Sequence, residues 1–261
     1  MYMTRMANQA SLEMREMFTQ TIQSLAGAVD KRDPSTADHS RRVMYIARDI
    51  GREMHCSSKE MEALEWGGLL HDIGKIGVPD GILLKQDKLT REERTKMNAH
   101  PVLGADIIAP VRRLAPELPI IRHHHEWYNG SGYPDRLLGD EIPRLARILH
   151  VADAFEAMTA SRPYRKTPLT NDQAMAELRK FGGIQFDPTV VDAFSHTHWA
   201  QGVPDPGSDA PRRVIPLLSQ EVVRLGQANQ TSHATAHASS TAGAPAAASE
   251  ASSLSTVTEA I

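Results

Sequence analysis

Residues 57–75 read Ser-Ser-Lys-Glu-Met-Glu-Ala-Leu-Glu-Trp-Gly-Gly-Leu-Leu-His-Asp-Ile-Gly-Lys. Ser57 and Glu60 have the spacing of a capping box, in which a serine hydroxyl takes the amide three residues on and the glutamate returns to the serine amide. The pattern predicts a helix that opens at Ser57 and runs to Leu70. At its end stand His71 and Asp72, followed by Ile73-Gly74-Lys75. The opening signature recurs as Thr90-Arg-Glu-Glu93 and as Thr170-Asn-Asp-Gln173, each ahead of a further helix.

Working outward, apolar residues keep helical spacing as far as residue 199. Leu12, Phe18, Ile22, Leu25 and Val29 form one stripe, which Asp33-Pro34-Ser35 breaks. Val43, Ile46, Ala47, Ile50 and Met54 form a second, and His39, four positions before Val43, shares its buried face. Pro143 opens a helix carrying Leu145, Ile148, Leu149, Ala152 and Met158. Gly182-Gly183 ends the next helix, and Pro188 to Phe194 makes a last short one. Runs of alternating β-branched residues are absent. The expected class is all-α.

Composition limits the function. The 261 residues can bury a substantial core without covalent staples. A net charge of −3 argues against a generic DNA or membrane-surface binder. The single cysteine, Cys56, excludes an intrachain disulfide framework and a multi-cysteine zinc site, and it suits a reducing cytoplasm. The N-terminus lacks the apolar core of a signal peptide, and no apolar run reaches the roughly 18–20 residues of a membrane span. Composition shifts near residue 200. Residues 200–226 read as a loosely packed extension, and residues 227–261, rich in Ala, Ser and Thr, as a disordered tail.

Histidine is the unusual residue type, with five of the twelve between His71 and His125. A lone buried histidine is by default a hydrogen-bonded core residue, and His55, His123, His150, His196 and His198 are read that way. His39, His71, Asp72, His100, His124, His125 and Asp153 all fall on or at the ends of expected helices. Several buried imidazoles and carboxylates are costly without partners, and a shared transition metal is the simplest common one.

His71-Asp72-Ile-Gly-Lys75 resembles the HD signature, and His124-His125-Glu126-Trp-Tyr-Asn-Gly-Ser-Gly-Tyr133-Pro134 resembles the GYP signature. Together they resemble the HD-GYP phosphodiesterases of bacterial cyclic di-GMP signalling, from about Ser24 to Phe194. The resemblance implies an HD-type helical bundle around a buried dinuclear centre, preceded here by a leading helix over residues 1–23 and with the catalytic domain over 24–199. It implies metal ligands at His39, His71, Asp72, His100, His124, His125 and Asp153, with Asp72 bridging two divalent transition-metal ions, Fe or Mn. It places Lys75 near the scissile phosphate, Tyr133 on the substrate-side loop, and Arg162 and Arg165 on the phosphates of the cyclic dinucleotide. Ser35 stands where some relatives have a glutamate that helps bind a third ion, which favours two. Glu126, next to two of the ligands, is expected to orient an imidazole. Asn129 stands where many relatives have aspartate, and it is expected to serve as well in a turn. Implied partners are cyclic di-GMP, diguanylate cyclase domains that dock on the GYP loop, and an upstream receiver or sensor domain. A non-catalytic docking role, or hydrolysis of another cyclic nucleotide, is the competing expectation.

Overall fold

A computed structural model describes residues 2–33, 38–160 and 167–203, with side chains from Glu13 onward except that of Arg15. Eleven α-helices occur among these residues: α1 (Tyr2–Arg32), α2 (His39–Glu53), α3 (Ser58–Leu70), α4 (Asp80–Leu83), α5 (Arg91–Met97), α6 (His100–Ile108), α7 (Leu118–His123), α8 (Arg144–Thr159), α9 (Asn171–Lys180), α10 (Pro188–Ser195) and α11 (His198–Gln201). Short 3-10 segments cover Ile73–Gly77, Arg112–Glu117 and Gly139–Glu141. No strand forms among the described residues, and β pairing is confined to isolated bridges, Asn129 with Leu138 and Gly182 with Phe186.

The capping boxes form as the sequence predicts. Ser57 with Glu60, Thr90 with Glu93 and Thr170 with Gln173 each exchange both hydrogen bonds, at the starts of α3, α5 and α9. Each satisfies amides that the first helical turn leaves without a partner. The helix α11 has no counterpart in the sequence reading. It opens with Thr197 capping the Ala200 amide, and it carries Ala200 into the core.

Helix α8 is the centre of the bundle. Every residue from Ile148 to Met158 is buried, including Asp153 and Glu156. A helix apolar on all sides can only be a core helix. Its small residues, Ala146, Ala152, Ala154 and Ala157, let neighbours approach closely. Val43, Ile46 and Ile50 of α2 join Ile148, Leu149 and Met158 of α8 and Phe194 of α10 in one apolar cluster. Burying each large side chain of this kind stabilises the fold by about 1.5–3 kcal/mol. A second cluster gathers Ile22 and Val29 of α1, Trp66 and Leu70 of α3, Ile73, Ile108, Leu114 and Ile121. Three expected core positions differ. His55 and His196, read as core histidines, are exposed. Leu25 is 50% exposed, and α1 instead buries Ile22, Ala26 and Val29, because a spacing of four then three keeps those residues on one face.

The extension and tail from residue 204 onward lie outside the described residues, as do Ser35, Arg162 and Arg165.

Candidate metal centre

Four helix ends and one helix middle meet at one buried place. His39 opens α2, His71 follows α3, His100 opens α6, His124 and His125 follow α7, and Asp153 lies within α8. All seven expected ligands are 5% exposed or less. Close approach of the HD segment to α6 depends on Gly74. A Cβ there would lie 1.9 Å from the His100 carbonyl oxygen and 2.5 Å from the Gly104 nitrogen. Only glycine permits that backbone contact, which sets Asp72 beside His100.

The ligands divide into two groups of three, His39 with His71 and Asp72, and His100 with His124 and His125. Asp72 faces both. Its Oδ2 lies 3.4 Å from His71 Nε2 and 3.8 Å from His39 Nε2, and its Oδ1 lies 3.3 Å from His100 Nε2. Asp153 Oδ1 completes the first group, 3.2 Å from His39 Nε2 and 3.9 Å from His71 Nε2.

Ring orientation follows from the other nitrogen of each imidazole. Nδ1 of His71, His100 and His124 lies 2.8, 2.9 and 2.7 Å from the carbonyls of Gly68, Met97 and Ile121. A carbonyl only accepts, so each Nδ1 carries a proton, which leaves Nε2 as the site of the lone pair in the neutral ring. The lone pairs of His100 and His124 face each other. His100 Nε2 lies 3.3 Å from His124 Nε2 and 3.2 Å from His125 Nε2. With the protons of His100 and His124 held at Nδ1, no proton joins that pair. Burial, only partly offset by Asp72, pushes His100 down to about 4, and burial with the neighbouring rings holds His124 and His125 well below the ordinary histidine range. His71 Nε2 is buried and has no hydrogen-bond partner. The facing lone pairs of His100 and His124 repel each other unless a cation lies beside them. Spacings of 3.2–3.3 Å suit the edge of a coordination polyhedron whose metal–nitrogen bonds are about 2.0–2.1 Å. The residues therefore fit a pair of transition-metal ions.

The first group carries more negative charge. Burial opposes the charge on Asp72, but Lys75 and the surrounding rings outweigh it and hold the carboxyl well below its usual range. Asp153 behaves the same way through its contact with His39. Burial also pulls His39 down, but Asp153 and Glu156 outweigh it and push the ring up to about 9.

Lys75 lies in the 3-10 segment after the HD pair. Its Nζ is 2.9 Å from Asp72 Oδ2 and 3.2 Å from Asp33 Oδ2. Asp33, at the break that ends the first apolar stripe, is buried and pairs with this lysine. Arg32 fixes the same segment, donating to the carbonyls of Lys75, Ile76 and Val78 at 2.7–2.9 Å and to Asp80.

The Tyr133 ring stacks on His125, with centroids 4.9 Å apart and planes at 27°. The loop beneath it requires Gly132, where a Cβ would lie 2.1 Å from the Trp127 nitrogen. Gly130 takes φ 78°, a left-handed conformation that glycine adopts without strain. Asn129 accepts from the Ser131 amide at 3.0 Å, so the asparagine does build the turn. The Glu126 carboxylate does not orient a ligand imidazole. It accepts the amides of Asp135, Arg136 and Leu137 at 2.6–3.1 Å and so ties the loop to the ligand-bearing segment. His150 is a satisfied core histidine, donating Nδ1 to the Glu126 carbonyl at 2.9 Å and accepting from the Gln185 amide at 3.1 Å.

The HD motif at Asp72 thus stands within a buried, metal-shaped histidine cluster, and a family model described as HD domain matches residues 23–190. The chain belongs to the HD domain family. This HD domain is 39% identical over 183 residues to a protein named cyclic di-GMP phosphodiesterase response regulator RpfG from Xanthomonas campestris pv. campestris (strain 8004), covering 69% of this chain and 48% of that protein. It is 35% identical over 190 residues to a Vibrio cholerae serotype O1 (strain ATCC 39315 / El Tor Inaba N16961) protein named 3'3'-cGAMP-specific phosphodiesterase 2, covering 72% of this chain and 36% of that protein. The chain therefore spans less than half the length of these two curated relatives. A solved structure of a V. cholerae cyclic GMP-AMP specific phosphodiesterase superposes with a TM-score of 0.51 at 19% identity, covering 71% of this chain and 51% of that one. That likeness bears on the fold. No helix among the described residues is long and apolar enough to cross a membrane.

Proposed function

We propose that this HD domain is a cytoplasmic, metal-dependent phosphodiesterase of the HD-GYP type that hydrolyses cyclic di-GMP in bacterial signalling. The observation that carries the reading is the pair of three-ligand groups joined by Asp72. The names of its relatives support the substrate. Five imidazoles and two carboxylates suit two divalent ions of the Fe or Mn kind. When bound, two such ions supply a deprotonated water near neutral pH and offset charge on the phosphate oxygens.

The chain's own residues do the rest. Three Nδ1–carbonyl bonds aim the rings of His71, His100 and His124 inward. Asp72 directs one oxygen to each group and so holds the two ion positions in register. Lys75, beside Asp72, brings a positive charge to the mouth of the centre without being a ligand, and donates to a phosphate oxygen. Tyr133 packs His125 and forms one wall for the dinucleotide. Arg162 and Arg165 grip its phosphates, since a guanidinium fork engages two oxygens. Diguanylate cyclase domains, and a receiver or sensor domain, are the proposed protein partners.

Similarity to a 3'3'-cGAMP-specific phosphodiesterase favours one second reading, in which that mixed dinucleotide is the preferred substrate. The test is purified protein loaded with Mn(II) or Fe(II), given each dinucleotide separately, with products followed by chromatography. Faster turnover of cyclic di-GMP supports the first reading and faster turnover of 3'3'-cGAMP the second. If fully loaded protein leaves both intact, the enzymatic reading fails and the docking role leads.

A further inference from the structure

His39 is held differently from the other rings. His71, His100 and His124 each donate Nδ1 to a carbonyl three residues earlier in the chain. His39 instead reaches across the fold to a carboxylate, its Nδ1 lying 2.5 Å from Glu156 Oε2. Glu156 is 2% exposed and lies one turn beyond Asp153 on α8. The other oxygen of Glu156 is gripped by Arg42, at 2.7 Å from Nε, with Nη2 in contact as well. Arg42 is itself one turn beyond His39 on α2. Two residues of α2 therefore clasp one carboxylate of α8, and α8 also supplies Asp153 to the same ring's Nε2.

A carboxylate differs from a carbonyl in its full negative charge. Accepting the Nδ1 proton, it makes the ring a stronger donor at Nε2 and fixes the ring plane. The second group has no such brace among the described residues, and its His100 and His124 rings are held by neutral carbonyls. We propose that Glu156, oriented by Arg42, is a positioning residue for the ion held by His39, His71, Asp72 and Asp153. It acts through the His39 ring and leaves the His100, His124 and His125 position unaffected. The two ion positions are then unequal, and the first depends on an ion pair between α2 and α8. This inference rests on the metal-centre reading, and its test reads metal rather than turnover.

The whole 261-residue chain is stripped of metal, titrated with Mn(II), and followed by metal analysis and electron paramagnetic resonance. Wild type should take up about two ions per chain and give the exchange-coupled signal of neighbouring Mn(II). Glu156→Gln keeps the size but removes the charge and one of the two oxygens that serve His39 and Arg42. It should bind one ion as wild type does and the other about 10- to 100-fold more weakly, with the six-line signal of isolated Mn(II) at low loading. Arg42→Gln should shift the same ion in the same direction by less, and Arg42→Lys should recover most of the loss. Two ions bound to Glu156→Gln at wild-type affinity overturn the proposal. If that variant does not fold, two ions bound normally by Arg42→Gln overturn it instead. A wild-type protein that binds no Mn(II) overturns the metal-centre reading itself, a result distinct from the others.

Discussion

Gly74→Ala tests the contact on which the centre depends. The added methyl would lie 1.9 Å from the His100 oxygen, 2.5 Å from the Gly104 nitrogen and 2.8 Å from the His100 carbonyl carbon. All three atoms are backbone, so no side chain can swing aside, and the HD segment must move away from α6 by more than an ångström. Overpacking of this kind costs about 1–3 kcal/mol, and a backbone clash belongs at the upper end. At about 2–4 °C per kcal/mol for a domain of this size, the melting temperature should fall by about 6–12 °C. The same movement lengthens the 3.3 Å link from Asp72 to His100, so metal content should fall as well. Gly81→Ala is the control. Nothing lies within 4 Å of its added methyl, and it sits in α4. Alanine is favoured over glycine in a helix by about 0.8–1 kcal/mol, so this variant should melt at or above wild type. The assay is a thermal melt by circular dichroism, paired with metal analysis of the same samples. If Gly74→Ala melts within about 2 °C of wild type, the difference that under 1 kcal/mol makes, and retains both ions, the reasoning is wrong.

Asp72→Ala should abolish metal loading and hydrolysis together, measured by metal analysis and product chromatography, because it removes the carboxylate that faces both groups. Lys75→Ala should keep the ions but lower kcat by on the order of 100-fold, as expected of a lost transition-state donor; unchanged kcat would remove Lys75 from the chemistry. Glu126→Ala should free the three amides of residues 135–137 and cost about 3 kcal/mol in denaturant unfolding, at roughly 1 kcal/mol per hydrogen bond. Glu117 supplies a pH test. Burial, with Glu62 nearby, raises its carboxyl from 4.5 to about 7, and its Oε2 is buried without a hydrogen-bond partner. A folded-state pKa above the unfolded one means the native state binds the extra proton, so this group's contribution to stability is complete below about 4.5 and is lost as pH rises through about 7. Glu117→Gln should therefore flatten that decline and melt higher than wild type at pH 8; an unchanged pH profile would show that the carboxyl stays ionised.

Much of the architecture follows from local chemistry. Capping boxes depend on two residues three apart, and all three form where the spacing places them. The stripe on α2 needs only the helical period to bury His39 beside Val43. The candidate metal ligands were legible because histidine and aspartate are rare on apolar faces, and because the HD and GYP motifs are long. Where periodicity alone decided, it erred by one position, choosing Leu25 over Ala26, since a leucine scores as apolar whether or not a neighbour is there to cover it.

The sequence by itself determined the helical class, the starts of the main helices, the seven candidate ligands and the HD family motif, because each of these is a property of residues close together in the chain. Only the tertiary structure decided how those ligands divide into two groups, that Asp72 faces both, that Asp33 pairs with Lys75, that Glu126 ties a loop rather than a ring, and that Glu156 and Arg42 brace His39. His39 and Glu156 are 117 residues apart in sequence. Helical period places each on the face of its own helix, but the partner that meets that face depends on how α2 and α8 pack. That packing is set by many weak apolar contacts acting together, and no short stretch of residues records their sum.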